Sequence, residues 1–166
     1  MPIIINKLGA HKNENAVEHV ITYMCTSPFA VHYNGRGVFT YAPESIISGF
    51  EMTKKMYYKD DGKQVTHIII ESQKEGLGVG GLIYVAEAAL DYFFGNGFQC
   101  FYVIHNGSHD NARNCHIHLA VNTINYMDGK RLTEAYSVTS SFRNAMEKAF
   151  GNYRWFSVND SSDTWE

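Results

Sequence analysis

Apolar residues recur at helical spacing in four stretches of the chain, and each stretch predicts an amphipathic helix. The approximate bounds of these helices are 13–24, 43–58, 80–95 and 138–150. Asn13 is placed to cap the first helix, and Ser27-Pro28 ends it because the residue before a proline avoids helical geometry. Pro43 stands at the first turn of the second helix, where its missing N–H costs nothing.

Runs rich in β-branched and aromatic residues predict strands between these helices. Their approximate bounds are 2–6, 64–72, 98–105, 115–125 and 154–158, with shorter extended pieces within 29–42 around the turn signal Asn34-Gly35-Arg36-Gly37. A polar loop joins strands 98–105 and 115–125, so we expect them to be antiparallel neighbours. The pattern predicts an α+β fold, with helices packed mainly on one face of an antiparallel central sheet. We expect one domain over residues 1–158 and a polar C-terminal tail over 159–166.

Composition narrows the class of protein. The chain has 166 residues, of which 45% are hydrophobic, as in a folded domain with a sizeable core. Its formal net charge of −3 argues against a broadly basic nucleic-acid binder. Three cysteines without close pairing, and no secretory signal, predict a reducing cytoplasmic location. No apolar run approaches the roughly 20 residues of a membrane span, so no membrane partner is expected.

Histidines supply the most specific chemistry in the sequence. His116 and His118 flank Ile117 on a predicted strand, and the two-residue period of a strand places both imidazoles on one face, about 6 to 7 Å apart. His105 ends the preceding strand and lies beside the pair if the two strands are antiparallel. Three neutral imidazoles with open positions around them are typical of a catalytic metal site. His109, in the following loop, is the alternative third ligand.

The type of donor atom restricts which metal ion the site would bind. Three nitrogen donors favour Mn²⁺, Zn²⁺, Ni²⁺ or Co²⁺ over Mg²⁺. Mg²⁺ stays open, because phosphate oxygens of a substrate would complete its preferred oxygen shell.

One stretch resembles a known family. The strand from Phe101 to His105, the polar loop, the segment from Asn114 to Asn122 and the following Asp128-Gly129 turn resemble the third motif of plasmid mobilization relaxases, specifically the MobA/VirD2-like group. Val65 to Ser72 resembles the strand before that family's central helix. The resemblance implies a sandwich of the HUH endonuclease type.

The resemblance also implies a reaction and a nucleophile. Relaxases carry the nucleophilic tyrosine on or after the first helix, and the segment from Val20 to Met24 makes Tyr23 the matching residue. The implied activity is nicking of single-stranded DNA at an origin of transfer through a 5′-phosphotyrosine, with a divalent ion held by the three histidines and with accessory mobilization proteins as further partners. Rolling-circle initiators and transposases place the tyrosine after the histidines, which here would be Tyr136 or Tyr126. A relative that binds DNA without cleaving it is the third interpretation.

The chain departs from the family pattern at one position near the site. The family often has an acidic residue two positions after the first histidine, where this sequence has Gly107. Asp110, Glu71 or Asn122 is expected to orient a ligand histidine instead. Candidate phosphate contacts are Lys54, Lys55, Lys59, Lys63, Arg113, Lys130 and Arg131, and candidate stacking residues are Phe39, Tyr57 and Tyr58.

Overall fold

A six-stranded mixed sheet forms the centre of the computed structural model, which describes residues 2–8, 11–72, 76–109, 114–132 and 141–158. The strands are β1 (Pro2–Leu8), β2 (Ala30–Arg36), β3 (Val65–Ser72), β4 (Cys100–Asn106), β5 (Cys115–Asn122) and β6 (Arg154–Val158). Their order across the sheet is β2-β4-β5-β3-β1-β6. Only the β1–β6 pair among these strands is parallel, so the sheet is largely antiparallel, and the α+β class is confirmed.

Four helices are present in the described part of the chain. They are α1 (Ala16–Thr26), α2 (Pro43–Met56), α3 (Val79–Gly95) and α4 (Ser141–Ala149). The bounds lie within a few residues of those expected from periodicity. Ser27 is extended, with ψ 136°, and ends α1 before Pro28 as predicted. The turn expected within Asn34-Gly35-Arg36-Gly37 lies at the end of that segment, because β2 continues to Arg36 and Gly37 takes the left-handed φ of 73°.

The helices divide into two pairs, one on each face of the sheet. On one face, α3 and α4 cover a large cluster that includes Ile70, Ile117 and Leu119. On the other face, α1 and α2 cover a separate cluster that includes Phe101 and Val103. The expectation that helices pack mainly on one face is therefore corrected. The continuous burial of β4 and β5 explains the difference, because central strands with both faces covered lose the alternation of apolar and polar residues.

Some expectations concern residues outside those described. The predicted tail 159–166 lies there, as does the segment 133–140 before α4. Within the described ranges, no helix combines the length and the apolar character needed to cross a membrane.

A buried polar network fastens α2 to the end of β5. Lys54 is fully buried, and its Nζ donates to Asn122 Oδ1 at 2.6 Å. Asn122 in turn donates through Nδ2 to the Phe50 carbonyl and to Gln99 Oε1. Burial lowers the pKa of the Lys54 ammonium to about 8, and the nearby Glu51 carboxylate offsets only part of that effect. Lys54 therefore cannot contact a phosphate in this fold, contrary to the sequence-based expectation.

This burial predicts an unusual dependence of stability on pH. The pKa of Lys54 is lower in the folded chain than the roughly 10.4 of an exposed lysine, so the unfolded chain binds more protons between those two values. The contribution of Lys54 to stability therefore rises as pH increases from about 8 towards about 10.4. Relative to Lys54→Met, the wild-type free energy of unfolding is expected to rise by up to about 3 kcal/mol over that window.

Urea unfolding of both proteins across the window measures this difference. Lys55→Met is the matched control, because Lys55 is exposed on the same helix. A difference between wild type and Lys54→Met that stays constant with pH would contradict the assignment of a neutralisable buried amine.

Candidate functional site

Three histidine side chains meet on two neighbouring strands. His105 on β4 is directly opposite His116 on β5, and His118 lies two residues further along the same face. Their ring centroids are 4.3 to 5.5 Å apart, and one nitrogen from each ring lies within 4.8 Å of the others. All three are buried. The structure thus brings together the three residues that the sequence analysis named as metal ligands.

Backbone carbonyls fix the tautomers of two of these rings. His116 Nδ1 lies 3.2 Å from the Asn114 carbonyl, and His105 Nε2 lies 2.9 Å from the Met24 carbonyl. A carbonyl oxygen can only accept a hydrogen bond, so a neutral ring must carry its proton on the nitrogen that faces it. The opposite nitrogens, His116 Nε2 and His105 Nδ1, then keep a lone pair.

Burial favours the neutral form of each ring. It is the main cause that lowers the pKa of His105, His116 and His118 below the usual value for histidine, and for His118 the neighbouring histidines lower the pKa further. Neutral imidazole is the form that binds metal ions. The group is therefore charge-free and holds lone pairs before any ligand arrives.

A fourth histidine, His67, completes the arrangement. It lies on β3, which pairs antiparallel with β5 on the side away from β4, and its Nε2 is 2.9 Å from His118 Nδ1. His67 is 5% exposed, and burial lowers its pKa to about 3. Sequence reasoning missed this residue. The available signal was its position in the Val65–Ser72 strand, but its use requires knowing that β3 borders β5 and in which register.

Tyr23 lies over the histidine cluster at the C-terminal end of α1. Its ring is edge-on to His118 at 5.5 Å between centroids and to His105 at 6.2 Å. The side chain is 56% exposed, so one side of the ring faces the histidines and the other faces solvent. The same helix end supplies the Met24 carbonyl that accepts from His105, which is one of the carbonyls left unpaired within a helix at its last turn.

A cavity of about 270 Å³ opens beside these groups. Its lining includes Tyr23, His105 and His116, together with residues of the α1–β2 connection and the start of the loop after β4. His109 also lines the cavity, where its ring is edge-on to Phe29, but it is not part of the three-histidine cluster. The described residues around this cavity include no lysine or arginine.

Gly107 has a structural reason to be glycine. Its φ is 103°, a conformation that L-residues rarely adopt, and its N–H donates to the same Asn114 carbonyl that receives His116 Nδ1. An acidic residue at this position would be strained. The departure from the family pattern is thus tied to the conformation of the loop that orients His116.

The other residues expected to orient a ligand are placed differently. Glu71 is opposite His116 in register and accepts from Asn114 Nδ2 at 3.3 Å, so it braces the residue whose carbonyl orients His116. Asn122 lies at the far end of β5 in the network with Lys54 and does not reach the histidines, because six residues of strand separate it from His116, about 20 Å. Asp110 is outside the described residues.

Among the described residues, the alternative nucleophile Tyr126 and the predicted cations Lys59 and Arg131 lie away from this site. Tyr126 stacks on Phe94 beyond the far end of β5, and Tyr136 lies outside the described residues. Lys59 donates to the Gly129 carbonyl and Arg131 pairs with Asp61, both near the far end of the sheet. Arg113 is also outside the described ranges.

The donor set fits a divalent ion. The chain offers three neutral imidazoles whose ligand atoms converge, and their remaining nitrogens each have a hydrogen-bond partner that orients the ring. Such a cluster can hold a metal, and three nitrogen ligands leave coordination positions for substrate. Mn²⁺, Zn²⁺, Co²⁺ and Ni²⁺ match nitrogen donors better than Mg²⁺ does.

Comparison with known proteins identifies the family of this chain. The model of the relaxase family, described as MobA/VirD2-like, nuclease domain, matches residues 23–155, which is most of the chain and includes Tyr23 and all four clustered histidines. No curated protein sequence matches the chain. The match shows that this chain belongs to the MobA/VirD2-like relaxase nuclease domains, a family of enzymes that nick DNA.

Proposed function

We propose that the chain nicks one strand of DNA at an origin of transfer by joining the Tyr23 oxygen to the 5′ phosphate, at a divalent metal centre held by His105, His116 and His118. The single observation that carries this proposal is the position of Tyr23, whose ring lies against two of the three histidines while more than half of its surface stays open to solvent. A nucleophile needs both properties, because it must reach the metal-bound phosphate and the incoming strand. The expected setting is the mobilization of a plasmid or another mobile element, with accessory mobilization proteins as partners.

The proposed reaction is a transesterification. Tyr23 Oη bonds to phosphorus, the bond from phosphorus to the 3′ oxygen breaks, and the proton lost by the phenol is balanced by the proton gained by the 3′ oxygen. One phosphodiester replaces another, so the break can be resealed by reversal. A bound divalent ion would supply positive charge that polarises the non-bridging phosphate oxygens.

The chain's own residues explain why an ion is needed. A phosphodiester is anionic, and no lysine or arginine is found among the described residues that line the cavity. The three histidines are held neutral by burial, so they provide lone pairs and no positive charge. The C-terminal end of α1 adds partial negative charge, which favours a cation nearby. We therefore assign the positive charge to the ion. Mn²⁺ is the first candidate because it also suits the oxygen ligands of a phosphate, Mg²⁺ is a candidate if phosphate oxygens complete its shell, and Zn²⁺, Ni²⁺ and Co²⁺ are further candidates by their match to nitrogen donors.

Single-stranded DNA fits the surface beside the site. A groove of about 320 Å³ runs along the edge strand β2 and is lined by Tyr33, Tyr41 and Val103, the last of which lies two residues before His105 on the same face of β4. Phe39 and Tyr41 are 76% and 82% exposed, with their rings 6.3 Å apart. Exposed aromatic rings stack on unpaired bases, which a duplex does not offer. Of the earlier stacking candidates, Tyr57 is not available, because its ring packs on Gly129 and its hydroxyl donates to the Tyr126 carbonyl.

The proposed location is the cytoplasm. Cys25, Cys100 and Cys115 are all free thiols, as expected in a reducing compartment.

The metal centre is tested by removing one ligand. His116→Ala is expected to weaken Mn²⁺ binding about 100-fold or more, because the loss of a direct ligand should exceed the effect of altering its hydrogen-bond partner. Titration calorimetry on the purified chain measures the dissociation constant. His19→Ala, which removes an exposed histidine from α1, serves as the control, and equal affinities in the two variants would refute the site.

The nucleophile is tested with labelled single-stranded DNA that carries a candidate origin, in the presence of Mn²⁺. Wild type is expected to form a covalent adduct that survives denaturation, and Tyr23→Phe is expected to form none because only the hydroxyl is lost. Tyr84→Phe, at an exposed tyrosine of α3, and Tyr136→Phe are expected to behave as wild type. An adduct that persists in Tyr23→Phe would refute the assignment, and loss only in Tyr136→Phe would favour the replication-initiator interpretation. No adduct with any divalent ion would favour a relative that binds DNA without cleaving it.

The groove is tested by truncating Tyr41, which lines it, and the neighbouring exposed ring of Phe39. Tyr41→Ala and Phe39→Ala are each expected to weaken binding of an unlabelled single strand by about 1 to 3 kcal/mol, the usual range for the loss of one stacked base. Tyr84→Ala is the control, because Tyr84 is 73% exposed on α3, which covers the opposite face of the sheet. Fluorescence anisotropy measures the affinities. A loss in Tyr84→Ala equal to that in Tyr41→Ala would show that the groove is not the binding surface.

A further inference from the structure

Three hydrogen bonds orient the three ligand histidines, and one of them differs in kind from the others. His116 and His105 each face a backbone carbonyl, which can only accept. His118 Nδ1 faces His67 Nε2 at 2.9 Å. A neutral imidazole has one nitrogen that donates and one that accepts, so His67 can present either role to His118.

The contact between His118 and His116 decides which role His67 plays when no ion is bound. The two Nε2 atoms are 3.0 Å apart, so one of them must carry a proton. His116 Nε2 cannot, because the proton of that neutral ring is on Nδ1, facing the Asn114 carbonyl. The proton therefore lies on His118 Nε2. His118 Nδ1 is then an acceptor, and His67 Nε2 is its donor.

Binding of a metal ion by His118 would reverse the direction of the hydrogen bond between His67 and His118. His118 Nδ1 is occupied by His67, so Nε2 is the nitrogen that is available to a metal, and it must then hold a lone pair. The proton of the neutral His118 ring would then be on Nδ1, which becomes the donor. The proton of the neutral His67 ring would move from Nε2 to Nδ1, so that His67 Nε2 becomes the acceptor. No net charge enters or leaves the pair. A carbonyl or a carboxylate in place of His67 could serve only the second arrangement.

The position of His67 is well suited to hold such a bond. It lies on the same face of the sheet as His118, because Ile69, two residues further along β3, is the register partner of His118. The His67 and His118 ring centroids are 5.2 Å apart, and both side chains are at most 5% exposed. Water is therefore a poor substitute for the missing partner if His67 is removed.

We propose that His67 is the positioning residue for His118, and that it holds this ligand through a hydrogen bond whose direction reverses when the metal ion binds. The inference rests on the proposed metal site. It extends that proposal by identifying a histidine, and not a carboxylate or a carbonyl, as the hydrogen-bond partner of His118.

The first test compares two replacements of His67 by their Zn²⁺ affinity, measured calorimetrically without DNA. His67→Phe keeps the ring shape but offers no hydrogen bond, and it is expected to bind Zn²⁺ about 10- to 100-fold more weakly than wild type. His67→Gln is expected to stay within a few-fold of wild type, because a rotated side-chain amide presents either its N–H or its oxygen to His118. His19→Phe and His19→Gln repeat both substitutions at an exposed histidine and should change nothing.

The second test is nitrogen NMR of the imidazole rings in the wild-type chain, which keeps the proposal falsifiable if His67→Phe does not fold. Addition of Zn²⁺, which is diamagnetic, is expected to move the His118 proton from Nε2 to Nδ1 and the His67 proton in the same sense. Unchanged tautomers, wild-type affinity in His67→Phe, or a loss in His67→Gln equal to that in His67→Phe would each overturn the inference. Normal Zn²⁺ results with no DNA cleavage would contradict the proposed nicking reaction and leave this inference standing, whereas no Zn²⁺ binding by wild type would overturn both.

Discussion

The pairing of β4 with β5, with His105 directly opposite His116, is the constraint on which the site depends. One residue of slip in that register would turn His105 to the opposite face of the sheet from His116 and His118. The register is held by both hydrophobic clusters, because Ile104 and Ile117 pair within one and Phe101 lies in the other. The same strand alternation that fills the core on one face thus brings the proposed metal ligands together on the other.

Helix α1 places the proposed nucleophile beside this cluster. Its apolar face packs on the sheet, and its last turn brings Tyr23 over His118 and the Met24 carbonyl against His105. Because Ser27-Pro28 ends the helix at that point, the carbonyls of the final turn are free to accept from side chains. One helix terminus thus positions the proposed nucleophile and sets the tautomer of a ligand. The Asn114 carbonyl orients the ring of His116, and His67 orients the ring of His118.

Local patterns in the sequence were sufficient to predict much of the fold and of the candidate site. The spacing of His116 and His118, the helix that carries Tyr23, and the bounds of most elements follow from short-range periodicity and from proline positions. Features that depend on long-range packing could not be predicted from these local patterns. His67 is separated from His118 by 51 residues, and its role requires the β3–β5 register. Lys54 looks like a surface cation in sequence and is fully buried. The placement of helices on both faces also depends on which strands are central.

The central claim is that the β4–β5 register builds a single metal centre beneath Tyr23. Anomalous diffraction from crystals of the full chain grown with Mn²⁺ tests it most directly. We expect one strong peak at bonding distance from nitrogen atoms of His105, His116 and His118, with the Tyr23 ring facing it. No peak at the three histidines, or a peak held by other residues, would contradict it.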